Sequence, residues 1–189
     1  MVDWGMIVNL AQGAVTTLWI SAVSIAVGVP LGLLLALIRV WRVPVLSPAV
    51  AVFVSIVRAT PVITLALFVY FGIPSTGLTL SPTVAALITL TVNTCAFHAE
   101  IWRASLMDFP RNQSEAASAF GMARLQAFRL IVLPQAWRAS LPPMVKEMTF
   151  LIKSSPAIAV IGVVDLTRTA SRIAAYTYDP LPPYISAAI

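Results

Sequence analysis

The chain has little charge, a single cysteine and a single histidine. Of its 189 residues only 10% are charged and 59% are hydrophobic, with a mean hydropathy of +0.92. An ordinary soluble domain is roughly a quarter charged. So little charge cannot cover a water-facing surface, which excludes a soluble globular domain, a disordered tail and a free-standing nucleic-acid binder. The lone Cys95 excludes an internal disulfide framework and a multi-cysteine metal site. His98 has no second ligand at helical spacing, so no metal site is expected. An intramembrane enzyme needs paired aspartates, Gly-x-Ser-x-Gly or His-Glu-x-x-His, and the chain has none of these. The Gly-x-x-x-x-Gly-Lys-[Ser/Thr] phosphate loop is also missing, so this chain is expected to bind no ATP itself.

Long uncharged runs fill that space. Between Asp3 and Arg39 lie 35 consecutive uncharged residues, where crossing the hydrocarbon takes roughly 20 as a helix. The run is too long for the h-region of a cleavable signal, and no basic segment precedes it. It predicts a first span from Gln12 to Ile38, with Pro30 as a kink that neighbouring helices tolerate. The next uncharged run, Ala59 to Ala99, holds 41 residues, too many for one span. Gly72, Pro74, Ser75 and Gly77 divide it. Ala59 to Ile73 alone reaches only ~22 Å against a ~30 Å core. The second helix is therefore expected to start earlier, over 49–73, unless the bilayer is locally thin. The third is expected over 78–102 and the fourth over 143–164. A fifth begins at 181–189 and reaches only ~13 Å. The expected fold is an all-α integral membrane protein, a single transmembrane domain over 1–189 with four spans and a truncated fifth.

Orientation follows from Lys and Arg in the loops. The leader Met1–Asn9 has none, and the Ile73–Ser81 loop carries no charge. Arg39 and Arg42 sit after the first span. Arg103, Arg111, Arg124, Arg129 and Arg138 crowd the segment between the third and fourth. Alternation puts the first and third connections in the cytoplasm and the N-terminus outside.

The segment 103–142 is too polar to enter the membrane and too long to lack structure. Ser114 to Phe120 predicts a short helix with Ser114 as N-cap and Gly121 as its stop. Met122 to Leu133 predicts a second helix, which Pro134 ends. From the residues alone, an amphipathic pair lying on the inner leaflet stands equal to a docking element.

Glu115-Ala116-Ala117, three residues, Gly121, nine residues, Ile131, one residue and Leu133-Pro134 resembles the EAA loop of bacterial ABC-importer permeases. Seven positions match within a window of twenty. Arg58-Ala59-Thr60-Pro61 is similar to that family's Arg-Gly-Thr-Pro. Asn93-Thr94-Cys95-Ala96-Phe97-His98-Ala99-Glu100-Ile101-Trp102-Arg103 is similar to its Asn-Thr-Ala-Ala-Tyr-x-Ala-Glu-Ile-Phe-Arg. With Leu133-Pro134-Gln135-Ala136, Leu141-Pro142-Pro143, Val160-Ile161-Gly162-Val163 and Leu166-Thr167-Arg168, the chain resembles the polar amino-acid branch. The resemblance implies a permease in the bacterial cytoplasmic (inner) membrane. It implies coupling helices between spans three and four that dock through Glu115, Ala116, Ala117 and Gly121 into cytoplasmic ABC ATPase subunits. ATP and Mg belong to that partner and no cofactor to this chain. It further implies a second permease copy or paralogue, a periplasmic substrate-binding protein and a polar amino acid as cargo. An ATP-independent channel or scaffold subunit is the alternative, and it leaves the docking loop without a use.

Within the spans, ionisable and polar residues mark pathway candidates. These are Thr60, Pro61, Asn93, Glu147 and Lys153. Glu147 and Lys153 are six apart, so they face directions roughly 120° apart and no direct pair is expected. For Glu147 a pathway role stands against an interface ion pair. For Lys153 it stands against helix carbonyls or a partner subunit. Thr60-Pro61 either opens a gap in the helix ladder or makes an ordinary kink. Asn93 reads as a helix–helix hydrogen bond, Glu100 and Arg103 as a surface pair, and Arg58 as a side chain reaching cytoplasmic headgroups. Lys153-Ser154-Ser155-Pro156 stands where the branch shows Lys-Asp-Thr-Ser, and His98 replaces an apolar residue.

Overall fold

Small residues along the first helix determine how the rest packs. The structure is a computed structural model describing residues 4–188. The first three residues of the expected leader and the last of the expected fifth segment lie outside the described residues. Helix α1 (Trp4–Val40) is a single run of 37 residues, longer at both ends than 12–38. At ~1.5 Å per residue it is about 55 Å long and overshoots a ~30 Å core. Pro30 sits within it on an exposed position and does not end it. Its buried stripe runs Gly13, Thr17, Ser21, Ser24, Gly28, Gly32, Ala36, a three-or-four spacing of small side chains. Such a stripe lets a second helix approach closely. A Cβ on Gly32 would stand 2.9 Å from the Ala99 amide nitrogen and the Cys95 carbonyl oxygen of helix α4.

The second expected span, 49–73, is not one continuous helix. Helix α2 (Leu46–Ala59) stops at Thr60, which is extended at φ −88°, ψ 127°. Pro61 disfavours helical backbone before it and has no N–H for the Val57 carbonyl. Helix α3 (Val62–Leu67) then sets off anew, widens to a π-turn over Phe68–Gly72 and tightens to 3₁₀ over Ile73–Thr76. The two halves meet at 110°. Gly77 at φ +92° closes the turn, and Ser81 caps helix α4 (Pro82–Met107) by accepting from the Val84 amide. Helix α4 is central, buried against α1, α2 and α3 as well as against the later helices.

Three further boundaries differ from expectation. Helix α5 (Arg111–Ala119) is preceded by Pro110 as its cap residue, so Ser114 lies inside it rather than at its start. Helix α6 (Arg124–Ala127) does not end at Pro134. It passes through a π-turn (Phe128–Val132) into helix α7 (Leu133–Ser154), with Pro134 in the first turn. The wider turn absorbs the hydrogen bond that Pro134 cannot donate. The expected fourth span, 143–164, is thus the latter part of a longer rod. It tightens to 3₁₀ over Ser155–Ile161 and stops at Gly162, φ +105°. Helix α8 (Leu166–Thr177) and the short α9 (Leu181–Ala188) follow.

Among the described residues all regular structure is helical. Helices α1 and α4 are each long and apolar enough to cross a membrane, and taking each of two bent pairs as one crossing brings the number to four. The main core gathers Ile20, Ala66, Leu90, Leu151 and Ile158 from four helical segments and the 3₁₀ turn.

Candidate functional site

Two places bring the sequence candidates together. The first is α5. Ala117 is buried beneath it, while Glu115 and Ala116 are exposed. The helix closes with paired bonds: the Met122 amide donates to the Ala117 carbonyl and the Gly121 amide to that of Ser118, both at 3.0 Å. This closure needs a left-handed residue, and Gly121 supplies it at φ +75°. The Gln135 amide of α7 donates to Gln113 of α5 at 2.8 Å. Trp41, from the α1–α2 turn, meets Phe128 edge-on at 5.8 Å, and both line a cavity of about 540 Å³ with Ser114, Glu115 and Ser118. Helix α5 is thus bonded directly to α7, and Trp41 at the end of α1 packs on the π-turn that leads into α7. Phe120, at 88% exposure, projects beside the helix end. The sequence reading gives Phe120 no role beyond the helix end, although an aromatic one residue before a helix-ending glycine is a usable signal.

The second place is the pocket behind the broken helix, about 400 Å³ in volume. Arg58, Thr60, Pro61 and Val62 form one wall, Asn93 and Phe97 of α4 another, and Phe150 and Ser154 of α7 a third. The break serves this geometry. Thr60 Oγ1 folds back to donate to the Ile56 carbonyl at 2.8 Å, which keeps the loose end from fraying. Asn93 is 2% exposed, and its Oδ1 is buried without a hydrogen-bond partner in the chain, as is Oε1 of Glu147. Buried acceptors left open this way are costly unless another molecule fills them. Arg58 differs from its expected reach toward headgroups: its guanidinium lies over the Phe97 ring, 5.3 Å from the centroid. Its charge, with that of Lys146, bears on Glu147. Lys153 is exposed and does not line the pocket, although its neighbour Ser154 does. Among the described residues no ion pair joins Glu147 to Lys153.

Asp165 is a site residue that the sequence reading does not single out. It is fully buried and caps α8, accepting from the Arg168 amide at 2.8 Å. An aspartate just ahead of an amphipathic run was the available signal. Among the described residues no group of His, Cys, Asp and Glu gathers as a metal site.

A helical chain with segments long and apolar enough to span a membrane, one of them sharply broken beside a pocket that Asn93 lines, has the architecture of a transport permease. Comparison with known proteins agrees. Residues 28–189 match the family described as "Binding-protein-dependent transport system inner membrane component", and the chain belongs to that family. It is 33% identical over 188 residues to the glutamine transport system permease protein GlnP of Escherichia coli K12, covering 98% of this chain and 86% of that one. It is 34% identical over 180 residues to the L-cystine transport system permease protein TcyB of Bacillus subtilis, covering 95% and 77%. A solved structure titled "Crystal structure of an amino acid ABC transporter with histidines" superimposes with a TM-score of 0.89 at 31% identity, covering 100% of this chain and 90% of that one.

Proposed function

We propose that this chain is the translocation subunit of an ATP-driven importer of polar amino acids in a bacterial inner membrane, with its N-terminus outside. Two copies, or this chain and a paralogue, form the pathway. ABC ATPase subunits bind ATP and Mg and dock at Glu115, Ala116, Ala117 and Gly121. A periplasmic binding protein delivers the cargo. Relatives named for glutamine and L-cystine support the cargo class.

The observation that carries the reading is α5 itself. It presents Glu115 and Ala116 outward on nine residues, ends in a left-handed glycine closure, and is bonded to α7 through Gln113 and Gln135. Closure of the ATPases pushes this hook, and α7 carries the push to Phe150 and Ser154 in the pocket wall and to Glu147 on the same helix. Thr60, Pro61 and Asn93 complete the path, and Lys153 flanks it.

The test is uptake by the reconstituted complex alongside its ATP hydrolysis. Gly121→Val forces a β-branched residue into left-handed backbone, which costs about 1–2 kcal/mol, and is expected to cut ATP-driven uptake about tenfold while hydrolysis continues. Gly121→Asn tolerates that conformation and is expected to keep most of the uptake. An Ala116→Cys chain is expected to cross-link to the ATPase. Unchanged uptake in Gly121→Val, or cargo flux through this chain without ATP, would overturn the reading.

A further inference from the structure

We propose, on the importer reading above, that the outer end of α1 and helix α8 form the surface on which the soluble binding protein docks, with Arg172 receiving an acidic side chain of that partner.

A cavity of about 390 Å³ lies between the two helices. Asn9, Gln12 and Thr16 line it from α1, and Thr169, Arg172 and Ile173 from α8. The helices touch at Gly13, where a Cβ would stand 2.8 Å from Thr169 Oγ1 and 2.9 Å from the Leu166 Cα. Its height in the proposed orientation puts the cavity outside the hydrocarbon. With Ile38 at the inner boundary beside Arg39, a ~30 Å core takes about 20 residues of an upright α1 and ends near Leu18. Asn9 then stands ~13 Å further out, past a headgroup layer of ~5–8 Å. A water-soluble protein reaches this level.

The chemistry of the cavity selects its occupant. Arg172 is exposed, and among the described residues no carboxylate pairs with it. The side chains of Asn9 and Gln12 are exposed as well. A guanidinium flanked by two carboxamides suits a carboxylate, which the arginine fork binds through both oxygens. A free amino acid fits poorly, because no carboxylate lines the cavity to meet its ammonium group. Asp165 is fully buried and caps α8. An acidic side chain carried on a protein brings no ammonium, and the family to which the chain belongs is described as binding-protein-dependent. Two tyrosines extend the surface. Tyr176, 88% exposed, stands one turn beyond Arg172 on the same side of α8. Tyr178, 94% exposed, ends the helix at φ 55°, left-handed backbone that strains a bulky side chain. Strain held at an exposed aromatic is explained by a contact made outside the chain, and tyrosine beside arginine is the composition of an interface anchor.

The test is ATP hydrolysis by the full complex in nanodiscs, titrated with the importer's own binding protein loaded with its amino acid. Arg172→Glu is expected to raise the half-saturating concentration of binding protein about tenfold and to leave the rate at saturation unchanged. For the natural chain that concentration is expected to rise about threefold between about 50 and 200 mM salt, and Arg172→Gln is expected to flatten the dependence. Tyr178→Gly removes the strain and the ring together. It is expected to raise the thermal unfolding midpoint while weakening docking about fivefold, a pairing that damage to the fold cannot produce. Natural half-saturation in Arg172→Glu overturns the proposal. So does Tyr178→Gly docking like the natural chain, which would give the tyrosines to the headgroup layer. A natural complex that does not respond to binding protein at all would overturn the importer reading too, so the two failures are distinguishable.

Discussion

Arg39, at the end of α1, donates to Glu100 of α4 at 2.6 Å, a bond that closes 61 residues of chain. Glu100 also accepts from Arg103, three residues along its own helix, with Nε at 3.0 Å from both carboxylate oxygens. One carboxylate thus clamps two helices. The side chains are 22–25% exposed, so the pairs are only partly screened. Glu100→Gln is expected to lower unfolding stability in detergent by about 1–2 kcal/mol. Arg103→Gln should cost less, because that pair is local to one helix. A double-mutant cycle between Arg39 and Glu100 checks the clamp: strictly additive losses would mean the two side chains are not coupled.

Close approach of α1 to α4 makes a second expectation. At Gly32 any side chain meets backbone, 2.9 Å from the Ala99 nitrogen and the Cys95 oxygen, and backbone within a helix cannot swing aside. Gly32→Ala is expected to cost about 1–3 kcal/mol, although Ala is the better helix former by ~1 kcal/mol. Ala22, on the exposed side of α1, is the control, and Ala22→Leu should stay within about 0.5 kcal/mol. Thermal unfolding of both variants in one detergent decides it. Equal midpoints for Gly32→Ala and the natural chain would show that the helices separate freely.

The particular residues explain what the sequence made legible. A run of 35 uncharged residues is a coarse signal, and it located α1 to within a few residues at its C-terminal end. Glu100 and Arg103 could be paired by spacing alone, but Arg39 could not be joined to them, because periodicity carries no information across 61 residues. Proline is ambiguous in a different way. Pro61 breaks its helix through 110°, whereas Pro134 opens the first turn of α7 behind a π-turn. In both places the lost donor is the same, and the outcome is decided by whether neighbouring turns can widen to absorb it. Ser114 was misread as a cap because serine suits a cap and a helix surface alike. The structure spends it inside α5, where its carbonyl accepts from Ser118.

Glu147 offers a test of selectivity. It is half-buried on α7, Oε1 lacks a partner in the chain, and the cations bearing on it are Arg58 and Lys146. If Glu147 borders the proposed pathway, its carboxylate favours a cationic cargo over an anionic one. Glu147→Gln keeps the shape and removes the charge. It is expected to shift the uptake ratio of cationic over neutral amino acids downward on the order of tenfold, equivalent to about 1.4 kcal/mol. Uptake assays across a panel of amino acids in proteoliposomes provide the ratio. Identical ratios before and after the change would remove Glu147 from the pathway.

The break at Pro61 ties backbone chemistry to the shape of the pocket beside it. Pro61 withholds the N–H that the Val57 carbonyl would otherwise accept, and Thr60 becomes extended in consequence. Pro61→Ala restores that donor and lifts the restriction on Thr60. The gain from one helical hydrogen bond is about 0.5–1.5 kcal/mol, enough to favour a straighter junction without unfolding the chain. Helix α2 would then extend toward α3, and the pocket wall made by Thr60, Pro61 and Val62 would move away from Asn93. Stability is therefore expected to hold or rise while uptake falls several-fold, a combination that a damaged fold cannot produce. Thermal unfolding and uptake measured on the same preparation separate the two effects. Full uptake with raised stability would show that the bend is packing alone and that the pocket behind it carries no cargo.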